Sequence, residues 1–278
     1  MSYPATRHIS VGCHFEYVAE VPTPAIFQVQ PNEDALHTVL SEAWLTKPEF
    51  PRRSYRDLYG NRCQWVLLPA GASTVNYEAM VLVPNRKDDV ETSAPERPVA
   101  LLPTEALMYT LPSRYCLSDE LGDEAWRLFG SVEPGWNRVQ TICDFVHDRL
   151  TFRYGSSTPV TTAVDVYNNC EGVCRDFAHL AITFCRALNI PARYVFGYIP
   201  DIDVPPTDAP MDFCAWFEAY LGDRWWPFDA RNNTPRLGRT LIGRGRDALD
   251  VAMVTTYGGP QLQVMNVWAD DVPMGATG

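Results

Sequence analysis

Histidine is scarce in this chain of 278 residues: there are five, His8, His14, His37, His147 and His179, and residues 180–278 contain none. Chemistry that needs an imidazole from the C-terminal third is therefore excluded. Long apolar runs are absent as well. No stretch approaches the roughly 18 uninterrupted apolar residues of a membrane-spanning helix, and the opening MSYPATRHISVG lacks the apolar core of a signal peptide. Nor is there a long basic run to offset the acidic balance, with 23 Lys and Arg against 34 Asp and Glu and a net charge of −11. That excludes a nucleic-acid backbone or an anionic membrane as the main partner. Eight irregularly spaced cysteines, without paired CxxC steps, are too sparse for a disulfide scaffold and do not read as zinc ligands. The expectation is a reduced, cytoplasmic protein that needs no cofactor, with most thiols buried as small hydrophobes.

What is present divides the chain in two. Near the N-terminus Ile9, Val11, Cys13, Phe15 and Tyr17 alternate with Ser10, Gly12, His14 and Glu16, the period of a half-buried strand. Cys63, Trp65 and Leu67 alternate with Gln64 and Val66 after a Gly60-Asn61 turn signal, and Val75, Tyr77 and Ala79 begin another strand. The run PNRKDDVETSAPERP, 84–98, is rich in proline and charge and places a linker near the domain boundary. Beyond it Trp136, Val139, Ile142, Cys143, Val146 and Leu150 recur at helical spacing. A second helix is predicted from about Gly172 to Leu188, with Cys174, Phe177, Ala178, Ala181, Cys185 and Leu188 on one face and an end at Asn189-Ile190-Pro191.

The strand 212–221 alternates Phe213, Ala215, Phe217, Ala219 and Leu221, a core face, with Cys214, Trp216, Glu218 and Tyr220. Gly222-Asp223 is a two-residue hairpin turn, so Leu221 faces Arg224, Trp216 faces Asp229 and Cys214 faces Arg231. Asp229 is then a diagonal neighbour of Cys214. Among the thiols Cys174 stands apart, because it lies in the first turn of its helix, where free N–H groups stabilise a thiolate and can bind an oxyanion. The same position also suits an inert helix-face cysteine.

The runs Asn169-Cys170-Glu171-Gly172-Val173-Cys174-Arg175-Asp176-Phe177-Ala178-His179-Leu180, Asn189-Ile190-Pro191-Ala192-Arg193-Tyr194 with Gly197-Tyr198, Ala215-Trp216-Phe217-Glu218-Ala219-Tyr220, and Phe228-Asp229-Ala230 resemble the bacterial transglutaminase-like superfamily. Four motifs agree in order and spacing over about residues 113–260, and the N-terminal strands resemble the β domain that often precedes this core. The resemblance implies a papain-like Cys-His-Asp acyl-transfer site, with Cys174 matching the nucleophile and Asp229 the aspartate. Where the family pattern has histidine before Ala-Trp, this chain has Cys214. His179 falls about 140° around the helix from Cys174 and is read as structural, and His147 lies on the preceding helix.

The fold expected is α+β: an N-terminal antiparallel β domain (1–90), a linker (91–112) and a transglutaminase-like, papain-like core (113–278) whose nucleophile-bearing helix packs on an antiparallel sheet. The resemblance implies a peptide or protein carboxamide as substrate. Without imidazole, ordinary amide hydrolysis or transamidation is expected to be weak, whereas activated esters and thioesters need the leaving-group proton less. Two functions follow: cysteine-dependent acyl transfer through Cys174, Cys214 and Asp229, or a silent relative that binds a peptide or protein in the same groove. Cys214 could also pair with Cys174 as a redox switch, or join Cys174 with Cys170 or Asp229 around a metal, although Cys170-x3-Cys174 is not a zinc-knuckle spacing. Trp216, with Glu218 on the same face, and Tyr220 are candidates to wall the groove. Asp201, Asp203, Asp208 and Asp212 form an acidic loop, read as solvated or, as the alternative, as favouring a cationic substrate, and Arg224, Arg231, Arg236, Arg239, Arg244 and Arg246 are expected mainly to pair with surplus acids, with binding of a carboxylate or phosphate as the alternative.

Overall fold

The computed structural model describes residues 5–32, 37–205 and 210–273, so Asp208 lies outside the described residues. The N-terminal part is built from β1 (Thr6–Ala19), β2 (Thr23–Phe27), β3 (Thr38–Lys47), β4 (Arg52–Arg56), β5 (Arg62–Leu68) and β6 (Gly71–Pro84). The alternation in β1 places Ile9, Val11, Cys13, Phe15 and Tyr17 inward, each at most 4% exposed. In β5 the inward face is the other one: Val66 and Leu68 are buried, while Trp65 lies half-buried under the Arg53 guanidinium, 4.4 Å away. Leu67 is exposed outright. Trp65 and Leu67 are as apolar as their neighbours, so alternation of residue type alone could not show which face turns inward.

The segment expected as a linker, 91–112, contains a short helix, α1 (Thr104–Leu107); after it come α2 (Gly122–Phe129), α3 (Trp136–Arg149), β7 (Thr151–Phe152), α4 (Ala163–Asn169), β8 (Glu171–Gly172) and α5 (Cys174–Ala187). The chain continues through β9 (Ala192–Tyr198), β10 (Cys214–Leu221), β11 (Arg224–Phe228), β12 (Thr240–Gly245), β13 (Val254–Thr256) and β14 (Gln261–Val272). This is an α+β fold with antiparallel main sheets, ordered β14-β1-β6-β3, β13-β2-β5-β4 and β11-β10-β9-β12. The first two sheets meet through rings such as Phe15 and Phe27, whose centroids are 5.6 Å apart. The third carries α5 on one face.

Residues 254–272 fall within the span 113–278 that the sequence assigns to the core, yet their ladders run to β1 and β2. Only Val267 and Ala269 of β14 are buried, so little hydrophobic signal marks it as a strand of the N-terminal sheet. The proline-rich segment is docked rather than loose. The Ala94 carbonyl accepts from Trp136 N–H (2.9 Å), the Pro95 carbonyl from Gly222 N–H (2.8 Å), and Glu96 pairs with Arg138 at 3.0 Å.

Both predicted helices form. In α3, Trp136, Val139, Ile142, Cys143 and Val146 are buried as the spacing requires. In α5 burial extends to every residue from Asp176 to Arg186, because the helix lies between the sheet and the other helices. It ends where Asn189 takes a left-handed φ of 64° before Pro191. The N-terminal sheets also brace the core directly: the Phe15 and Phe213 rings stack at 6.4 Å, and the Tyr198 hydroxyl donates to the Val29 carbonyl at 2.7 Å.

Candidate active site

The chain reaches Cys174 through two short devices. Helix α4 opens on a reciprocal cap between Thr162 and Asp165 and closes on Cys170, left-handed at φ 58°. Asp176 then reaches back to accept from Val173 N–H at 2.8 Å, starting α5 at Cys174. Gly172 permits this, because a Cβ there would lie 2.7 Å from that of Asp176. The Cys174 thiol, at the first helical position, approaches the Phe213 carbonyl at 3.8 Å.

Cys174 and Cys214 line one cavity of about 170 Å³ together with Phe152, Tyr154, Asp212 and Arg231. Burial dominates its electrostatics. It pushes the Cys174 thiol up to about 11, opposed by the Arg231 guanidinium and the Ala215 backbone amide. Burial also raises the Cys214 thiol, and the neighbouring Cys174 adds to the rise. Desolvation thus opposes the stabilisation that the helix end offers a thiolate and favours the neutral form of both thiols.

The hairpin forms in the predicted register, Leu221 opposite Arg224 around a left-handed Gly222. Its ladder stops at Phe217–Phe228, so the further pairings of Trp216 with Asp229 and Cys214 with Arg231 do not occur as ladder pairs. Asp229 instead closes a turn, its carbonyl accepting from Asn233 N–H at 2.7 Å. Its Oδ1 accepts from the amides of Arg231 (3.1 Å) and Asn232 (2.9 Å), and its Oδ2 from Asn232 Nδ2 (2.8 Å) and Arg239 Nη2 (3.0 Å). Burial would raise this carboxyl, but Arg239 and Asn232 hold it below the usual carboxylate range. Asp229 is absent from the lining of the Cys174 cavity and reaches Cys214 only through its charge, which adds to the rise of that thiol, while both its oxygens are committed to the turn that carries Arg231.

Trp216 and Glu218 do not line the Cys174 cavity. Trp216 is 3% exposed and packs with Val195, Ile199 and Leu241, its ring 4.9 Å from the Arg239 guanidinium. Glu218 is held between Arg193 Nε (2.6 Å) and Arg244 Nε (3.0 Å), which together keep its carboxyl low against the effect of burial. Tyr220 packs edge-on against Trp225 at 5.3 Å. These side chains form the framework of β10. Gly197 of β9, opposite Cys214, must lack a side chain, since a Cβ there would collide with the Thr240 carbonyl oxygen and lie 2.7 Å from the Trp216 ring. Gly197→Ala is expected to push β9 away from β12 at Thr240, displace Trp216 and destabilise the protein by about 1–3 kcal/mol, read as a lower unfolding midpoint and altered near-UV circular dichroism.

His179 is structural, as expected: fully buried, stacked on Tyr115 at 5.2 Å, with Nε2 accepting from Ala248 N–H at 3.1 Å. Burial, with Arg175 and Arg186 adding to it, drives its pKa well below 6.5. An unfolded chain takes up this proton below about pH 6.5 and the folded one does not, so stability falls by up to about 1.4 kcal/mol per pH unit as the pH drops through that range. Urea titrations at pH 7.5 and 5.5 should show the loss, and His179→Gln should reduce it. His147 lies outside the cavity and donates Nδ1–H to the Arg231 carbonyl at 2.9 Å. Asp201 and Asp212 both line the cavity.

Sequence reasoning did not single out Tyr154 or Phe152, and it placed Asp212 in an acidic loop and Arg231 among acid-pairing arginines rather than at the thiol cavity. For Arg231 the signal was present in its place opposite Cys214 in the extended hairpin. Among the described residues no group of three or more His, Cys, Asp or Glu side chains is placed to hold a metal ion, and no helix is long and apolar enough to cross a membrane.

A helix-borne cysteine packed against an antiparallel sheet, beside the first residue of the adjoining strand, defines the papain-like class of thiol-site folds. The chain belongs to the transglutaminase-like superfamily, whose pattern matches residues 126–230. It is similar to a crystal structure of a candidate cysteine protease from Cytophaga hutchinsonii, at 31% identity and TM-score 0.89, covering 98% of this chain and 92% of that one. An uncharacterized Mycobacterium leprae protein is 33% identical over 121 residues, 41% of this chain and 42% of the relative. An uncharacterized Mycobacterium bovis protein is 29% identical over 245 residues, 80% of this chain and 77% of the relative.

Proposed function

We propose that the protein is a cysteine-dependent acyl-transfer enzyme of the peptidase or amidase type with a degenerate Cys-Cys-Asp set, weak toward unactivated amides. Its substrate is a carboxamide or activated acyl group of a peptide or protein, Cys174 is the nucleophile, Cys214 occupies the base position, and Asp229 fixes the turn beside it. The observation that carries this is the opening of the Cys174 helix end onto a cavity that Cys214 shares. The eight free thiols fit a reducing compartment, the cytoplasm.

The test is acylation by a p-nitrophenyl ester at pH 9, followed by peptide mass analysis. The expected result is an acyl group on Cys174 and no p-nitrophenolate burst in Cys174→Ala. An adduct confined to other residues would reject the nucleophile. A second reading, a silent peptide-binding relative, is favoured by the raised thiols and the fully engaged Asp229. It requires that wild type show no adduct while wild type and Cys174→Ala bind peptide equally. With the thiol at about 11, Cys174 alkylation by iodoacetamide should rise toward pH 11. At pH 7 it should be roughly 100-fold or more slower than for an exposed thiol of ordinary pKa near 8.5.

A further inference from the structure

Five of the six arginines clustered in this part of the chain have carboxylate partners. Arg224 pairs with Asp89, Arg236 with Asp201, Arg239 with Asp88 and Asp229, Arg244 with Glu218, and Arg246 with Asp250. Arg231 has no such partner among the described residues, in a chain whose net charge is −11. Its guanidinium lies 4.1 Å over the Phe152 ring, at the wall of the cavity that contains Cys174. A guanidinium stacked by its face keeps its N–H edge available, and that edge matches a carboxylate in a two-point contact.

The turn is built to hold Arg231 there. Asp229 accepts its backbone N–H at 3.1 Å, and His147 bonds its carbonyl at 2.9 Å. The other charges lining the cavity are engaged. Arg236 holds Asp201 at 3.1 Å; Asp212 accepts from Phe213 N–H at 2.7 Å, and burial raises its carboxyl against that amide and the charge of Arg231, which makes no ion pair with it.

We propose that Arg231 is a specificity-determining residue that receives a carboxylate carried by the acyl substrate, either on the acyl side or on the leaving side of the reacting carbonyl. The inference rests on Cys174 being the nucleophile. Its sulfur bonds to the carbonyl carbon, the ester C–O bond breaks, the leaving group departs as phenolate and the thiol proton passes to solvent. Water then cleaves the thioester and restores the thiol.

Two substrate pairs test it. The first is the p-nitrophenyl ester of N-succinylglycine against its succinate methyl ester, with a carboxylate on the acyl side. The second is the N-acetylglycyl ester of 4-hydroxybenzoate against that of methyl 4-hydroxybenzoate, with a carboxylate on the leaving side. Wild type should prefer the charged member of one pair by roughly 10- to 100-fold in kcat/KM, the worth of a charge-assisted contact. Arg231→Gln should reduce that preference to within about threefold, and Arg231→Lys should keep part of it. Absence of preference in both pairs, or a preference that survives Arg231→Gln, overturns the proposal. So does an Arg231→Gln variant whose only change is slower Cys174 alkylation, which would make Arg231 a thiolate counter-ion.

Titration calorimetry on Cys174→Ala, with N-succinylglycinamide and its methyl ester as probes, separates this from the nucleophile assignment. If no ester is turned over but the charged probe binds at least tenfold more tightly and loses that advantage in Cys174→Ala/Arg231→Gln, the carboxylate site stands and the acyl-transfer reading falls. Equal binding of the two probes, together with no preference in turnover, removes the carboxylate site.

Discussion

Cys214→His is expected to raise turnover of a peptide p-nitroanilide by roughly 100-fold over the native chain. The native pair cannot relay a proton efficiently. Both thiols are raised by burial, Cys174 to about 11, and a thiol does not form the imidazolium that stabilises a neighbouring thiolate. An imidazole at 214 would stand on the wall of the cavity that Cys174 shares, and could both accept the thiol proton and return it to the leaving amine. The gain is placed at the low end of general acid–base effects, which span about 100- to 10,000-fold, because both Asp229 oxygens are occupied by Asn232, Arg239 and the Arg231 amide. The pH profile should change with the rate. Native activity should climb toward pH 11, whereas the variant should level off near neutrality, as imidazole titrates at about 6.5. Cys214→Ser, which supplies no base, should show neither change. A Cys214→His variant that folds and acylates at Cys174, but gains less than threefold, would show that the groove is shaped for binding.

Asp229→Asn is expected to destabilise the fold by about 3 kcal/mol, the low end for breaking a buried ion pair. The substitution conserves size but removes the charge opposite Arg239, whose side chain is 8% exposed, and leaves an amide where four donors converge. Asp88 still neutralises part of Arg239, at 2.7 Å, which is why the larger values in the range are not reached. Because the folded carboxyl titrates below its ordinary value of 3.8, its contribution is complete above about pH 4 and fades as the pH falls through the lower folded value. The difference between native chain and variant in urea midpoint should therefore be constant from pH 8 to 5 and shrink below pH 4. A variant as stable as the native chain at pH 7 would remove the anchoring role. Full stability with a lost pH–rate limb would instead assign Asp229 directly to the proton transfer.

Much of this arrangement was legible in the sequence. Spacing located α3 and α5, Gly222-Asp223 fixed the hairpin register, and the first-turn position singled out Cys174. The roles of Trp216 and Glu218 were not legible, because their partners are distant in sequence. Arg193 comes from the neighbouring strand β9 and Arg244 from β12 beyond it, and Arg239 reaches Trp216 from a loop. Alternation shows that β10 has two faces without showing what covers the second. The thiol acidity was misjudged for a related reason. A helix end is visible in sequence, whereas the depth of the cavity around it is a property of the packed sheet. In β14 only Val267 and Ala269 are fully buried, with Met265 packed beside them, too few for a clear pattern.

The pairing of β14 with β1 bears on biosynthesis. β1 is translated well before residues 261–272, which complete its ladder. While the chain is on the ribosome, β1 can pair with β6 but keeps one backbone edge open until the core has emerged. The core can therefore assemble before the N-terminal sheet closes, and the later arrival of β14 seals that edge against pairing with other chains. Premature termination before Gln261 would leave a 14-residue strand with an unpaired edge, so truncated products should be recovered in the pellet rather than as smaller folded proteins.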